Sequence, residues 1–339
     1  MNVRLVSKIA LMALFVFIGS GVATAAEKVY EAVCSHHTSD IDPLHLGYVH
    51  FGKEMEKRSN GRIKFTIYPN AQLSSGDVEN LGLIKTNSVQ FTSVPQFAME
   101  PNGVTLRPFN IFDVPFMFTN YDDIYKLMDG SVGQEMYAHL DKMGVKAGPG
   151  WAIGWQKITS NKGKIAVPDD IKGQKIRCGS SKLLIEFLKS SGAGPLVISY
   201  GETFTALQQG VCDGMCTATP LYISDRLYEV QKFMGCVDFA PVYHTPVISK
   251  TWYNSLPKDL QQVVDESMKE WISYSRKITE EAEASAKSEL ASKFGMTVTE
   301  LTPEQKEKWV ALGKPLWESA APIVGGAEFL QKVRAELNK

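Results

Sequence analysis

The fold is decided by residues 164–214, which read KIAVPDDIKGQKIRCGSSKLLIEFLKSSGAGPLVISYGETFTALQQGVCDG. Short apolar runs at Lys175–Cys178 and Leu196–Ser199 predict strands. Between them, Ser181–Ser190 has the apolar spacing of an amphipathic helix, and Gly192 closes it. A strand, a helix and a second strand at this spacing predict parallel pairing with a right-handed crossover. The stretch therefore indicates an α/β fold.

The same alternation continues toward the N-terminus. Val29–Cys34, Arg62–Tyr68 and Val89–Val94 predict further strands, whereas Pro43–Asn60 and Val78–Lys85 predict helices. We therefore expect an α/β protein with mostly parallel central sheets. A length of 339 residues suggests about two domains, and no long linker separates them, so we expect interwoven lobes between which the chain crosses more than once.

One later helix is unusually long. Pro257-Lys258-Asp259 is typical of a helix start, and Gly295 follows the last apolar position. A single helix over Leu260–Phe294 would be about 52 Å long. Such a helix can lie across two lobes and tie them together. The alternative is two helices with a break near Ser273–Ser275.

The N-terminus predicts export. Arg4 and Lys8 flank the start of the apolar run Ile9–Ile18, and the small residues Ala23-Thr24-Ala25 resemble a cleavage site. Residues 1–26 are therefore expected to be a cleavable signal peptide leading to the periplasm. A retained membrane anchor is less favoured, because the apolar run is too short to span a bilayer.

Charge and cysteine content narrow the class of protein. The formal charge of −1 would become −3 without Arg4 and Lys8, which argues against nucleic acid as a partner. Five cysteines leave at least one thiol unpaired. Their scattered spacing favours buried apolar cysteines, although a Cys212–Cys216 pair or another disulfide remains open in an oxidising compartment.

Arg177 is the main candidate for ligand binding. It lies at the end of a predicted strand, where its planar guanidinium offers a fork of donors suited to an oxyanion. The sequence therefore favours a protein that captures a small organic anion.

Several motifs together resemble one known family, the solute-binding proteins of tripartite ATP-independent periplasmic (TRAP) transporters, the DctP-like group. The motifs that carry the resemblance are Asn60–Lys64, Tyr68–Leu73, Asp113–Phe118, Thr159–Lys162, Asp170–Arg177, Glu202–Gly214 and Tyr228–Phe233. No one of them is decisive, but their order and spacing are specific.

The resemblance implies a two-lobed periplasmic binding protein that closes on its ligand like a flytrap. It implies a first lobe over residues 27–153 with about 242–280, and a second lobe over 154–241 with about 281–339. It also implies a monomer that delivers its ligand to membrane permease subunits, with no cofactor, metal or catalytic residue.

Site residues follow from the matched positions. Arg177 stands where the family has its ligand-anchoring arginine, so it is expected to hold a carboxylate. Gln156 stands where a second arginine is frequent, and Thr217 stands where an asparagine is usual. These replacements predict a smaller or less richly hydrogen-bonded ligand than a sugar acid.

Further pocket candidates lie at strand ends or near the expected crossing between the lobes. They are Tyr200, His36, His37, Ser93, Gln96, Trp151 and Trp155. For the two tryptophans, packing in the core is an equally good interpretation.

The expected ligand is a monocarboxylate such as a hydroxy or keto acid. A small sulfonate is chemically compatible and aromatic acids stay open, whereas dicarboxylates are less favoured because Gln156 adds no charge. Two other functions remain: a ligand-sensing module of a membrane receptor, and an exported metal-dependent enzyme using the early histidines (His36, His37, His45 and His50). No hydrolase or metalloprotease motif supports the enzyme.

Overall fold

Apolar strands flanked by amphipathic helices form a mixed sheet in this computed structural model, which describes residues 28–339. The expected signal peptide, residues 1–26, lies outside the described residues. The strands are β1 (Tyr30–Ser35), β2 (Ile63–Tyr68), β3 (Phe91–Pro95), β4 (Val145–Ala147), β5 (Trp151–Ser160), β6 (Lys175–Cys178), β7 (Gly194–Val197), β8 (Gly214–Ala218), β9 (Phe233–Gly235), β10 (Pro241–Ser249) and β11 (Thr297–Thr299). The helices are α1 (Pro43–Arg58), α2 (Asp77–Lys85), α3 (Tyr121–Asp129), α4 (Ser131–Lys142), α5 (Lys182–Ser190), α6 (Thr203–Gln208), α7 (Thr219–Ser224), α8 (Lys250–Ser255), α9 (Lys258–Ser292), α10 (Pro303–Ser319) and α11 (Ala327–Leu337).

The strand order gives two lobes joined through the sheet. Its main path runs β2-β1-β3-β10-β5-β8-β6-β7. Strands β1, β2 and β3 pair in parallel in the first lobe, and β6, β7 and β8 pair in parallel in the second. The predicted α/β fold with parallel strands in each lobe is confirmed, and the centre of the sheet is mixed, because β5 and β10 run antiparallel to their neighbours. The reason is that these two strands carry the chain between the lobes in opposite directions.

Strand β5 makes the first crossing within its own length. Its beginning pairs with β10, so that Trp151 lies opposite His244, and its end pairs with β8, so that Ser160 lies opposite Gly214. Near the end of the segment paired with β10, at an irregularity between Ala152 and Trp155, Gly154 has a φ of +139°, a conformation that side-chain-bearing residues rarely adopt. The change of lobe expected near residues 153 and 154 and the full lobe boundaries remain predictions.

Helix α9 is one continuous helix of 35 residues, so the alternative of a break near Ser273–Ser275 is wrong. Its first half packs in the first lobe, where Trp271 stacks on Phe51 with ring centroids 4.7 Å apart. Its second half reaches the second lobe, where Leu290 is buried in the same cluster as Met215. The helix therefore spans both lobes, as its length predicts.

Helix α1 begins at Pro43 because the residues around its first turn carry the usual signals of a helix start. Asp42 is extended, and its Oδ1 accepts a hydrogen bond from the backbone N–H of Leu44 at 2.7 Å. Pro43 supplies the fixed φ of a first helical turn, and Lys57 and Arg58 complement the C-terminal end of the helix dipole. These signals place the loop that follows β1 at a defined position.

All five cysteines are buried and free in the structure. Burial raises the pKa of the Cys34 and Cys216 thiols well above the usual value. The interpretation as buried apolar cysteines is confirmed, and the alternative Cys212–Cys216 disulfide is absent. Within residues 28–339, no helix combines the length and the apolar composition needed to cross a membrane.

A buried ion-pair cluster fixes the crossing strand to α9. Lys157 on β5 is 1% exposed, and its Nζ lies 2.6 Å from Oε1 of Glu283 and 2.5 Å from Oδ1 of Asp238. Thr219 donates a further hydrogen bond to Glu283 at 3.1 Å. Burial alone would lower the pKa of Lys157, but the two carboxylates outweigh burial and the pKa is raised. Lys157 therefore stays charged inside the protein.

Replacing Glu283 with alanine removes the more buried partner of Lys157 and leaves Asp238, whose side chain is 32% exposed. We expect Glu283→Ala to lower the free energy of unfolding by about 3 kcal/mol, because it leaves a buried charge undercompensated. Urea unfolding measures this change. The control Glu281→Ala removes an exposed carboxylate from the same helix and should change stability by less than about 0.5 kcal/mol. Equal losses in the two variants would contradict the structural role of the cluster.

Candidate functional site

An enclosed cavity lies where the two lobes meet, and we call it the inner chamber. Five residues expected at the site line it: His37, Gln156, Arg177, Tyr200 and Thr217. Its volume of about 20 Å³ holds little more than one water molecule. The lining side chains come from the loop after β1, from β5, β6 and β8, and from the turn after β7. Ends of parallel strands therefore meet at this point, as in other α/β ligand sites.

Among the described residues that line the inner chamber, Arg177 is the one lysine or arginine. It is 3% exposed and stands on β6. Its Nε and Nη2 donate to the backbone carbonyl of Ile198 at 3.0 and 2.8 Å. The guanidinium carbon lies 5.3 Å from the centre of the Tyr200 ring. The carbonyl fixes one edge of the guanidinium, and in residues 28–339 no hydrogen bond from Nη1 is found.

Gln156 offers a second free donor. Its side chain is 2% exposed, and its Nε2 has no hydrogen-bond partner within the described part of the chain. Buried amide groups are nearly always hydrogen-bonded, so an unpartnered one in a cavity points to a missing acceptor. Gln156 therefore presents an amide donor to the same space as Arg177.

His37 and Asp77 form an ion pair at the wall of the inner chamber. Nδ1 of His37 lies 3.1 Å from Oδ1 of Asp77, and each side chain is 6% exposed. Burial alone would lower the pKa of His37, but the Asp77 carboxylate outweighs burial and the pKa is raised. The pKa of Asp77 is lowered, because the charge and hydrogen bond of His37 outweigh its burial. The pair is therefore ionised and close to neutral in sum.

His244 on β10 is the other imidazole of the chamber. Its Nδ1 lies 3.1 Å from Oγ of Ser93, and burial lowers its pKa to about 4. His244 is consequently neutral at pH 7 and adds hydrogen-bonding capacity without charge.

Hydrogen bonds join the two lobes beside the chamber. Oγ of Ser39 donates to the carbonyl of Ser224 at 2.9 Å, and Oγ of Ser224 donates to Oδ2 of Asp42 at 2.6 Å. The hydroxyl of Tyr200 donates to Oδ2 of Asp225 at 2.8 Å, while Oδ1 accepts from the backbone N–H of Ser39 at 3.3 Å. Residues 39–42 follow β1 in the first lobe and residues 224–225 follow β8 in the second, so the three bonds between these two segments hold a closed arrangement. Tyr200 follows β7 in the same lobe as Asp225, so its bond orients the Asp225 carboxylate within that lobe.

Two carboxyl groups are brought together by this closed arrangement. Burial raises the pKa of Asp42, and the nearby charge of Asp225 raises it further, to about 7. Burial also raises the pKa of Asp225, although its bond from Tyr200 acts in the opposite direction. Two like charges in one buried site favour protonation of one of them.

A larger opening, which we call the outer cleft, continues from the inner chamber. It has a volume of about 350 Å³. Arg177, Tyr200 and Asp77 line both spaces. A ligand held by Arg177 therefore has room to extend in this direction.

Three of the expected site residues lie elsewhere. His36 turns to Thr38 and His45, each at 3.1 Å, and burial lowers its pKa to about 3. Ser93 is bonded to the hydroxyl of Tyr48 at 2.7 Å. The amide of Gln96 donates to Asp113 at 2.8 Å and to the carbonyl of Pro241 at 3.0 Å, and it accepts from the N–H of Tyr243 at 2.9 Å. Their polar groups hold the first lobe together and do not line the inner chamber.

The two tryptophan candidates also lie outside the chamber. Trp151 is fully buried in the core, with its ring 5.3 Å from that of Trp271. Trp155 lies on a separate cleft with Phe116 and Lys306. Neither tryptophan lines the inner chamber: Trp151 packs in the core, which was the alternative interpretation, and Trp155 lies at a different surface.

Sequence reasoning missed Asp77, His244 and the pair formed by Asp42 and Asp225. Asp77 begins α2, where an aspartate is indistinguishable by sequence from an ordinary helix start. His244 lies in an apolar strand and meets its partners only through the fold. In residues 28–339, no cluster of three or more His, Cys, Asp or Glu side chains is arranged to hold a metal ion.

The fold and the enclosed cavity between lobes define a two-lobed ligand-binding protein. The chain belongs to the DctP family, the bacterial extracellular solute-binding proteins of family 7, whose sequence profile matches residues 34–322. The resemblance to TRAP solute-binding proteins is thereby confirmed, and the family is one of binding proteins rather than enzymes.

Relatives and solved structures agree with this membership. The C4-dicarboxylate-binding periplasmic protein DctP of Rhodobacter capsulatus is 29% identical and covers 89% of each chain. The 2,3-diketo-L-gulonate-binding periplasmic protein YiaO of Escherichia coli is 28% identical, over 73% of this chain and 74% of the other. The structure is similar to a TRAP periplasmic solute-binding protein of Sulfurospirillum deleyianum with bound succinate. The TM-score is 0.84 and the identity 29%, over 91% of this chain and 99% of the other.

The pair of Asp42 and Asp225 makes a pH-dependent contribution to stability. The pKa of Asp42 is about 7 in the folded protein and about 4 in an unfolded chain. Folding therefore takes up a proton between these values, and the contribution of Asp42 to stability falls as pH rises from about 4 to about 7. The change Asp42→Asn keeps the cap of α1 and removes the charge. We expect it to gain on the order of 4 kcal/mol over the wild type between about pH 4 and pH 8, because about three pKa units separate the folded from the unfolded state.

Urea unfolding at several pH values measures this gain as the difference between the two proteins. Asp40→Asn, which removes an exposed aspartate from the same loop, is the matched control and should follow the wild type at every pH. A constant difference between Asp42→Asn and the wild type would contradict the raised pKa.

Proposed function

We propose that this protein is an extracytoplasmic solute-binding protein of a TRAP transporter that captures a small organic acid between its lobes. In this proposal it works in the periplasm and delivers the acid, as a monomer, to the permease subunits in the membrane. The two relatives described above are named as periplasmic, and each name specifies a small organic acid. The expected signal peptide agrees with that location.

The observation that carries the proposal is the state of Arg177. In residues 28–339, no carboxylate lies within 4.0 Å of its guanidinium, although the side chain is 3% exposed. A buried cation without an anionic partner is costly, and an incoming carboxylate would offset that cost with charge-assisted hydrogen bonds. The free amide of Gln156 supports the same role, because it can donate to an oxygen of the bound acid.

The charge balance favours a ligand with one negative charge. Among the side chains that line the inner chamber, Arg177 contributes one positive charge, His37 and Asp77 cancel each other, and His244 is neutral. The carboxyl groups of Asp42 and Asp225 lie behind this lining and do not face the ligand space. A monocarboxylate therefore completes the site, and a small sulfonate is chemically equivalent at the same position. This proposal separates the protein from its relative in Rhodobacter capsulatus, which is named for C4-dicarboxylates.

Closure gives the binding its strength. The hydrogen bonds of Ser39 with Ser224 and of Ser39 with Asp225 join the two lobes and form only when the lobes meet. A ligand that bridges Arg177 and the first lobe stabilises that closed arrangement and is shielded from water within it.

The change Arg177→Ala tests the proposal. We expect a folded protein whose affinity for its organic acid falls by roughly 30-fold or more, because one side of a buried charge pair is removed. Isothermal titration calorimetry, after a thermal-shift screen of monocarboxylates, sulfonates, dicarboxylates and neutral sugars, measures the effect.

The matched control is Arg58→Ala, which removes an arginine paired with Glu54 on the exposed face of α1. Its affinity should equal that of the wild type. Neutral sugars as the only stabilising ligands, or equal affinity in the Arg177→Ala protein, would overturn the proposal.

A further inference from the structure

The outer cleft is lined largely by apolar surface, whereas the inner chamber presents the donors of Arg177 and Gln156. The two spaces therefore suit different parts of one ligand. We propose that the captured acid carries an apolar tail, aliphatic or aromatic, that lies in the outer cleft while its carboxylate binds Arg177. This inference rests on the proposed function and adds the class of substrate. It excludes polyhydroxylated sugar acids and dicarboxylates as the preferred ligands.

The sizes of the two spaces assign the parts of the ligand. The inner chamber, at about 20 Å³, has room for part of a headgroup, whereas the outer cleft, at about 350 Å³, is in the range of small-molecule sites. Arg177 lines both, so an acid bound to its guanidinium projects its remaining atoms into the outer cleft. The properties of that cleft therefore select the tail.

The walls of the outer cleft are apolar and come from both lobes. Val78 from α2 is 40% exposed and Val197 from β7 is 54% exposed, and both line the cleft together with Phe97 and Ile198. The ring of Tyr200 completes this surface, since its hydroxyl is already used by Asp225. Apolar side chains left partly in water on both sides of a cleft gain free energy when an apolar group displaces that water.

Polar side chains of the outer cleft are largely used within the protein. Oγ of Ser180 donates to the carbonyl of Phe97 at 2.9 Å, and Oγ of Ser75 donates to Oε2 of Glu79 at 3.4 Å. The hydroxyls of a sugar acid would leave water there and find few free partners. Unpaired hydroxyls reduce affinity, because their bonds to water are lost without replacement.

Two carboxylates face the outer cleft and disfavour a second acid group. Asp77 and Glu79 both line it. Glu79 is held in place by a hydrogen bond from the backbone N–H of Ser75 at 3.0 Å, and Asp77 is held by His37. The far carboxylate of a dicarboxylate anchored on Arg177 would approach these like charges, and among the described residues that line the cleft no second cation stands beside them to compensate.

Three acids with six carbon atoms test the inference directly. They are 4-methylpentanoate with an apolar tail, gluconate with a hydroxylated tail and adipate with a second carboxylate. Calorimetry on the mature wild-type protein should give at least about tenfold tighter binding of 4-methylpentanoate than of either other acid. Arg177→Ala should weaken 4-methylpentanoate binding strongly.

Matched valine variants locate the effect. Val197→Asn should weaken 4-methylpentanoate binding about fivefold. Val211→Asn changes a valine of similar exposure, 47%, that does not line the outer cleft, and should leave the affinity unchanged. Glu79→Gln should tighten adipate binding, because it removes one of the two opposing charges.

The outcomes separate this inference from the proposed function. If gluconate or adipate binds most tightly and its binding is lost in Arg177→Ala, the inference of an apolar tail is wrong and the proposed anion-binding function stands. If none of the acids binds in an Arg177-dependent manner, both are wrong. Equal effects of Val197→Asn and Val211→Asn would also overturn the placement of the tail.

Discussion

A buried guanidinium without a carboxylate partner is the constraint around which the site is arranged. Arg177 receives orientation from the carbonyl of Ile198 but no compensating charge from within 4.0 Å in the described residues. An ion removed from water in this way is stable only if the protein can admit water or an anion. In the proposed function the two-lobed fold provides that choice, because opening would hydrate Arg177 and closure on an acid would pair it. Affinity and closure are consequently two aspects of one electrostatic requirement.

The proposed closure has a second requirement, which is that the lobes can move without losing their connection. Helix α9 packs against both lobes, and β5 crosses between them through Gly154. The ion pairs of Lys157 with Glu283 and Asp238 secure β5 to that helix close to the crossing. The lobes are therefore firmly joined at this cluster, whereas the hydrogen bond from Ser39 to the carbonyl of Ser224 is one that the proposed closure would form.

Much of the fold was predictable from the sequence, because local periodicity and helix boundaries determine it. The continuous α9 and the strand that carries Arg177 are cases in which a local pattern was sufficient. The central antiparallel pairing was missed, since the direction in which a strand re-enters a sheet depends on contacts distant in sequence. Within the site, the assignment of His36 and His37 was ambiguous for the same reason. Two adjacent residues point to opposite sides of a loop, and only the fold shows which one meets Asp77.

Gln156 and Lys157 explain how the site keeps a single positive charge. They are neighbours on β5, so their side chains point to opposite faces of the strand, and only Gln156 lines the inner chamber. Had the register differed by one residue, a lysine would stand beside Arg177 and the site would favour two negative charges. Instead Lys157 is held by Glu283 on the other face, where its charge is neutralised. The alternation of one strand thus separates the structural cation from the inner chamber, and the proposed preference for a monoanion follows from that separation.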